Sequence, residues 1–143
     1  MQNAEKDQFY KQKAFSLYKE FNALAFSNAL PDEPPVHVRS KRKPVARGRF
    51  RFRYMRRRAK SLAYYDHRAK HITLYTDFAQ NKEFPEVLLH EMLHMYMHMT
   101  KNEVGHTIGF WRALKEKCRL VGIVPSQKLW WSKKAKSVFA SPS

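Results

Sequence analysis

Residues 90–98 read HEMLHMYMH, and this stretch constrains the fold of the chain more than any other. His90 and His94 are four residues apart, and in an α-helix such residues lie on one face, about one turn from each other. Two imidazoles placed in this way can reach the same metal ion. Glu91 follows the first histidine, where the pattern H-E-x-x-H positions a general base for hydrolysis. The stretch therefore predicts a helix that presents a metal centre.

A third metal ligand is expected from outside this helix. His98 continues the same helix face, but at about 1.5 Å of rise per residue it lies about 12 Å from His90 along the axis. One ion with bonds of about 2 Å cannot take ligands from three successive turns of a straight helix. His106 follows Gly105, where the chain can reverse and offer a ligand from a second element. We therefore expect His106 to complete the site and His98 to be a neighbouring or surface residue.

The predicted site has four members and binds one Zn²⁺ ion per chain. Three histidines would leave a fourth position of a tetrahedral zinc ion open for water, as catalytic zinc sites do. A structural site would more often be closed by four protein ligands, and it has no need of a glutamate beside the first histidine. The predicted metal ligands and catalytic residue are His90, His94, His106 and Glu91.

Apolar periodicity predicts three helices and several short strands. The helices are expected over residues 8–26 and 85–99, and from Thr107 as N-cap to Gly122 as C-terminal cap. The chain is expected to fray after Lys136. Alternating residues predict strands at 36–38, 47–54, 62–65 and 71–75. The fold class is α+β: a zincin-like domain in which the N-terminal helix packs with a small antiparallel sheet of about three strands, the metal helix and a following C-terminal helix.

Length and cysteine content limit the domain organisation. At 143 residues the chain suits one domain, with its core at about residues 8–124 and a basic extension at 125–143. Its one cysteine, Cys118, excludes an internal disulfide and a cysteine-based zinc ribbon. No stretch approaches the roughly 20 apolar residues of a membrane span. The polar start is unlike a secretory signal, so we expect an intracellular protein, in the cytoplasm or nucleoid, or in the nucleus of a eukaryote.

The charge of the chain is strongly positive, with 28 Lys and Arg against 12 Asp and Glu. Such an excess predicts a polyanionic partner, most often nucleic acid. Twelve of these cations lie in residues 39–60, here called the basic segment, which holds no acidic residue. Arginine guanidinium groups suit phosphate oxygens, so the segment could follow a nucleic acid backbone without reading bases. The predicted contacts are Lys41, Arg42, Lys43, Arg47, Arg49, Arg51, Arg53, Arg56, Arg57 and Arg58.

Four stretches carry a family resemblance: LYKEFNALAFSNALP at 17–31, ITLYTDF at 72–78, LLHEMLHMYMH at 88–98 and GHTIGFWRALKEKC at 105–118. In this order they resemble the SprT-like zinc metallopeptidases, the group that includes the DNA–protein crosslink protease Spartan. WLM-like proteins share H-E-x-x-H, but the N-terminal helix favours the SprT-like group. The resemblance implies the same three histidine ligands and the same catalytic glutamate.

The combined features predict a zinc metallopeptidase that acts on proteins bound or crosslinked to DNA. Its expected partners are nucleic acid, DNA rather than RNA, and a protein substrate, with no membrane and with a monomer favoured. Two alternatives stay open at this point. One is a nucleic-acid-binding module with a structural zinc site, and the other is a zinc hydrolase of a small phosphorylated substrate, whose arginines would clamp the phosphate.

Overall fold

The helix that carries His90 and His94 lies at the centre of an α+β fold. The computed structural model describes residues 3–39, 63–75, 83–126 and 132–140. Within these ranges the elements are, in chain order, α1 (Asn3–Ala25), β1 (Val36–Arg39), β2 (Ala63–Asp66), β3 (His71–Tyr75), α2 (Phe84–Lys101), α3 (Ile108–Val121) and α4 (Lys133–Ala140). Helix α2 contacts α1, α3, β2 and β3. The predicted α+β class, with a helix before a three-stranded sheet and the metal helix after it, is confirmed.

Helix α1 packs through one narrow stripe of buried residues at helical spacing: Ala14, Tyr18, Phe21 and Ala25. It begins five residues before the predicted start at residue 8, and its first turns extend past the core, so that Phe9 is 56% exposed. Its end is held by side chains. The side-chain amide of Asn22 donates a hydrogen bond to the carbonyl of Leu30 and accepts one from the Leu30 N–H. The Tyr18 hydroxyl donates to the carbonyl of Pro31 at 2.8 Å. These bonds fix the direction in which the chain leaves the helix for β1.

The sheet has the order β1-β3-β2 and is mixed rather than antiparallel throughout. Strand β2 pairs antiparallel with β3, but β1 runs parallel to β3, with Val36 opposite Ile72. Alternation of apolar residues indicates a strand and its buried face, but it carries no information on strand direction. The direction depends on the path of the connection that leads from one strand to its partner. The predicted strand at 47–54 lies outside the described residues.

Helix α3 begins and ends at its predicted capping residues, whereas α2 extends to Lys101, beyond its predicted end at residue 99. The Thr107 side chain accepts a hydrogen bond from the backbone N–H of Phe110 at 3.0 Å, and Gly122 takes a left-handed conformation with φ of 76°. The predicted N-cap and C-terminal cap of α3 are therefore confirmed. Helix α2 starts with Pro85 in its first turn and ends at Asn102, which is also left-handed. The left-handed Asn102 turns the chain back toward the site.

A fourth helix extends past Lys136, where fraying was expected. Helix α4 continues to Ala140, and the side chains of Ala135 and Val138 are buried against the rest of the protein. The Ser132 hydroxyl accepts from the backbone N–H of Ala135 at 3.1 Å and caps its first turn. None of the described helices is long and apolar enough to span a membrane.

A buried carboxylate ties the first turn of α2 to the chain that follows α3. Both oxygens of Glu86 lie within hydrogen-bonding distance of the backbone N–H of Ser126, at 2.9 and 3.2 Å. Burial raises the pKa of Glu86 to about 7, and Glu83 adds to the rise, while the Ser126 bond opposes it. The folded protein therefore binds a proton at Glu86 more tightly than the unfolded chain does.

We expect Glu86→Gln to remove a pH-dependent loss of stability. Because the folded pKa is above the unfolded value, the wild-type protein should lose stability as the pH rises from about 4.5 to about 7. Glutamine keeps an oxygen for Ser126 and carries no charge. Relative to this variant, the wild type should lose up to about 3 kcal/mol over that range, since one pKa unit corresponds to about 1.4 kcal/mol. Denaturant unfolding of both proteins at several pH values measures the difference, and parallel curves would contradict it.

Candidate metal centre

The structure brings the three predicted histidine ligands to one point. His90 and His94 project from adjacent turns of α2, and His106 reaches them from the link between α2 and α3. The Nε2 atoms are separated by 3.2 Å for His90 and His94, 3.1 Å for His90 and His106, and 3.0 Å for His94 and His106. Among the described residues, these three form the only group of His, Cys, Asp or Glu side chains positioned to hold a metal ion.

The spacing of the three nitrogens suits a metal ion better than mutual hydrogen bonding. Each Nε2 atom carries either a hydrogen or a lone pair, so at least one of the three contacts must join two like groups. A cation would satisfy three lone pairs at once. Tetrahedral zinc with bonds of about 2.0–2.1 Å places its nitrogen ligands about 3.3–3.4 Å apart, close to the observed separations. The residues present therefore fit a metal ion.

Desolvation favours the neutral form of these imidazoles, which is the form that binds metals. Desolvation is the largest cause and lowers the pKa of all three rings, with that of His94 falling to about 3. Repulsion among the rings adds to the effect at His90 and His94. His90 and His94 can therefore offer lone pairs well below neutral pH.

Two aromatic rings of α3 set the planes of the imidazoles. Phe110 stacks on His94, with centroids 4.3 Å apart and planes 21° from parallel. Trp111 stacks on His106, with ring centroids 5.1 Å apart and ring planes 16° from parallel. Both aromatic rings also contact His90. Because Phe110 and Trp111 are adjacent in the first turns of a capped helix, the same local structure that positions α3 also orients the ligands.

Glu91 lies beside the triad and is almost fully buried, with 8% of its surface exposed. Burial raises the pKa of Glu91 to about 8, although a hydrogen bond from the backbone N–H of Tyr65 opposes the rise. A divalent cation held by the neighbouring histidines would favour the ionised carboxylate. Glu91 is therefore a carboxylate whose protonation state depends on its surroundings, as a general base requires.

A cleft of about 250 Å³ connects these groups. Its walls come from β2, the turn after it, α2 and the α2–α3 link, and its lining residues are Ala63, Tyr65, His67, His90, Glu91, His94, Val104 and His106. The predicted ligands and the predicted base therefore share one open cleft.

His98 lies outside the triad and pairs with Tyr65. Its Nδ1 atom is 2.9 Å from the Tyr65 hydroxyl, and the edge of its ring contacts His67. Burial, with Asp66 as a further cause, raises the pKa of Tyr65, so the phenol remains protonated at neutral pH. The sequence had not singled out Tyr65 for a role in the site. Strand alternation places it on the same face as Ala63, but only the fold brings it to the metal helix.

The predicted nucleic-acid contacts all lie outside the described residues, in the range 40–62. Both ends of this range are described. Arg39 ends β1 opposite Tyr75, and Ala63 begins β2 opposite Leu74. The two ends therefore flank the same end of β3, and Ala63 also lines the cleft. The most basic part of the sequence is attached directly beside the candidate metal centre.

Comparison with known protein families gives a match. The sequence model of the SprT-like family matches residues 14–128, which is most of the chain. The family is associated with metalloprotease-type activity. No curated protein and no solved structure matched the chain at a significant level.

We expect metal binding to depend on His106 and not on His98. Titration of the metal-free protein with Zn²⁺ against a fluorescent chelator should give one ion per chain for the wild type and for His98→Ala. His106→Ala should weaken binding by more than the roughly 10–100-fold that loss of an outer partner costs, because a ligand itself is removed. Equal losses in the two variants would contradict the assignment of the third ligand.

Proposed function

This chain belongs to the SprT-like family, and we propose that it is a zinc-dependent metallopeptidase that cuts proteins bound or crosslinked to DNA. The observation that supports the proposal most strongly is the shared cleft, which holds three converging histidines and one buried glutamate. We propose His90, His94 and His106 as the zinc ligands. Three nitrogen ligands with room for a fourth group are typical of catalytic zinc sites.

We propose Glu91 as the general base of peptide hydrolysis. Its carboxylate would accept a proton from the attacking water and return it to the nitrogen of the leaving amine, so that one water is consumed and one C–N bond breaks. A bound zinc ion would supply Lewis acidity to the water and to the scissile carbonyl. The enclosed position of Glu91 keeps bulk water away from this proton transfer and strengthens its electrostatic interactions.

The cleft also suits an extended polypeptide. One wall is β2, which pairs on one side with β3 and whose Tyr65 N–H points to Glu91. A peptide that lies along such a strand presents its carbonyl groups at regular intervals. Val104, which is 55% exposed, supplies apolar surface at the cleft for a substrate side chain. We propose that sequence preference is weak and that substrates are selected by their presence on DNA.

The charge distribution supports a DNA-associated role. The basic segment has twelve Lys and Arg and no acidic residue, whereas the rest of the chain has sixteen Lys and Arg against all twelve Asp and Glu. The positive charge is therefore concentrated in residues 39–60 rather than spread over the surface. Because Ala63 both follows this range and lines the cleft, a nucleic acid bound there would hold its attached proteins near the catalytic groups.

Glu91→Gln should abolish cleavage and keep the metal. Glutamine has nearly the same shape, so the zinc-loaded variant should retain one ion per chain while its rate falls by about 10²–10⁴-fold, the usual contribution of general acid–base catalysis. The measurement is the cleavage of a DNA-binding protein such as a histone by both proteins, with and without single-stranded DNA. Full activity in the variant would show that Glu91 is not the base.

Measurements of zinc content, DNA binding and nucleoside triphosphate turnover on the same protein, made beside the cleavage assay, distinguish the two alternative functions. A protein that binds zinc and DNA and cuts no protein or peptide would have a structural metal site. Turnover of nucleoside triphosphates would instead indicate a hydrolase of small phosphorylated substrates.

Loss of three arginines in the basic segment should weaken DNA binding and its salt dependence. For a single-stranded oligonucleotide, Arg47→Gln, Arg49→Gln and Arg51→Gln together should lower the slope of log K against log salt by about 2, because each phosphate contact contributes about 0.7. The control replaces Lys133, Lys134 and Lys136 by Gln and removes the same formal charge from α4. A slope that changes equally in both variants would place DNA binding elsewhere. Cleavage of a free peptide should be unaffected in either variant.

A further inference from the structure

We propose that Tyr65 is a catalytic residue whose hydroxyl donates a hydrogen bond to the scissile carbonyl oxygen, and that His98 is the positioning residue that orients it. This inference rests on the proposed peptidase function and adds the group that stabilises negative charge on that oxygen as water attacks. Donors aimed at such a developing charge contribute strongly because they are oriented in advance in a site that excludes water.

Among the residues that the structure describes, the cleft offers few other donors. Of the side chains that line it, three are the proposed metal ligands, Glu91 is the proposed base, and Ala63 and Val104 are apolar. Tyr65 and His67 remain. His67 is exposed in the turn after β2, where its ring contacts the edge of His98. Tyr65 is half-buried and held at two points, so it is the better ordered of the two.

Tyr65 is fixed at both its backbone and its hydroxyl. Its backbone N–H bonds the carboxyl group of Glu91, and its hydroxyl lies 2.9 Å from Nδ1 of His98. Glu91 and His98 are seven residues apart on α2 and therefore lie on the same helix face, two turns from each other. The phenol thus runs along the face that also carries His94, with its ring in the wall of the cleft.

The direction of the Tyr65–His98 bond decides what the hydroxyl can do. If His98 carries its hydrogen on Nδ1, it donates to the phenolic oxygen, and the hydroxyl hydrogen is free to turn toward a substrate in the cleft. If His98 carries its hydrogen on Nε2, the hydroxyl must donate to Nδ1 and is occupied. We propose the first arrangement, in which His98 holds the oxygen in place without using its hydrogen.

A tyrosine of the metal helix, Tyr96, provides a matched control for Tyr65 of β2. Tyr96 follows His94 by two residues, but its ring packs on Phe26, with Lys117 above it, on the side of α2 that faces α1 and α3. It is not among the residues that line the cleft. Tyr96→Phe therefore removes a tyrosine hydroxyl from the metal helix without affecting the proposed donor.

The first test compares peptide cleavage by zinc-loaded wild type, Tyr65→Phe and Tyr96→Phe. Phenylalanine keeps the ring and the backbone N–H bond to Glu91 and removes only the hydroxyl. We expect kcat of Tyr65→Phe to fall by about 10²–10³-fold, the usual effect of losing one such donor, with KM and zinc content unchanged. Tyr96→Phe should match the wild type. A parallel variant, His67→Ala, tests the remaining side chain of the cleft.

His98 is tested by a double-mutant cycle and by a signal that does not depend on activity. His98→Phe keeps an aromatic ring against Tyr65 and His67 and removes the nitrogen. It should lower kcat alone, but it should have no further effect when combined with Tyr65→Phe, because the two residues act as one unit. In the metal-free protein, the ¹⁵N chemical shifts of the His98 ring should show hydrogen on Nδ1, and they should change in Tyr65→Phe.

Each outcome decides between the two proposals. If the wild type cleaves peptides and Tyr65→Phe is equally fast, or if His67→Ala alone loses activity, the role of Tyr65 is overturned and the peptidase function stands. An Nε2–H tautomer of His98, or additive losses in the double mutant, would overturn the role of His98. If the zinc-loaded wild type cleaves nothing, the proposed function fails, and the inference that rests on it fails as well.

Discussion

The convergence of three neutral imidazoles is the constraint that the rest of the site has to satisfy. Their nitrogens lie 3.0–3.2 Å apart, so at least one contact joins two like groups in every protonation state of the rings. The fold holds them by other means: Phe110 and Trp111 stack on two of the rings, and Asn102 and Thr107 fix both ends of the link that carries the third. The stability of the surrounding helices offsets the cost of the unmatched lone pairs.

The parts of this site that could be predicted from the sequence are those set by local geometry. His90 and His94 face the same point because they are four residues apart in a helix, and the caps of α3 follow from Thr107 and Gly122. The unpredicted parts involve contacts between distant residues. The Tyr65 hydroxyl is hydrogen-bonded to His98, which lies 33 residues away in the sequence. The spacing of apolar residues does not predict a contact between residues so far apart. For the same reason, the parallel direction of β1 was not foreseen.

The ends of helices were predicted less well than their centres for a related physical reason. Apolar spacing shows which face of a helix is buried, but it does not show where the surface that covers that face stops. Phe9 continues the apolar stripe of α1 and is nevertheless exposed, because it lies beyond the core that begins at Ala14. Conversely, α4 is stable past Lys136 because Ala135 and Val138 are buried, although the sequence around them is basic.

The position of His106 gives a bound ion a second effect on the molecule. Two ligands belong to α2 and the third to the link before α3. A bound ion would therefore cross-link the helix to this link and close a loop of the chain between His94 and His106. Binding to the folded form alone adds to its stability, by about 2.7 kcal/mol when free metal is at 100 times Kd. Metal supply would then affect how often the link opens, because a bound ion has to be released before His106 can leave the other two ligands.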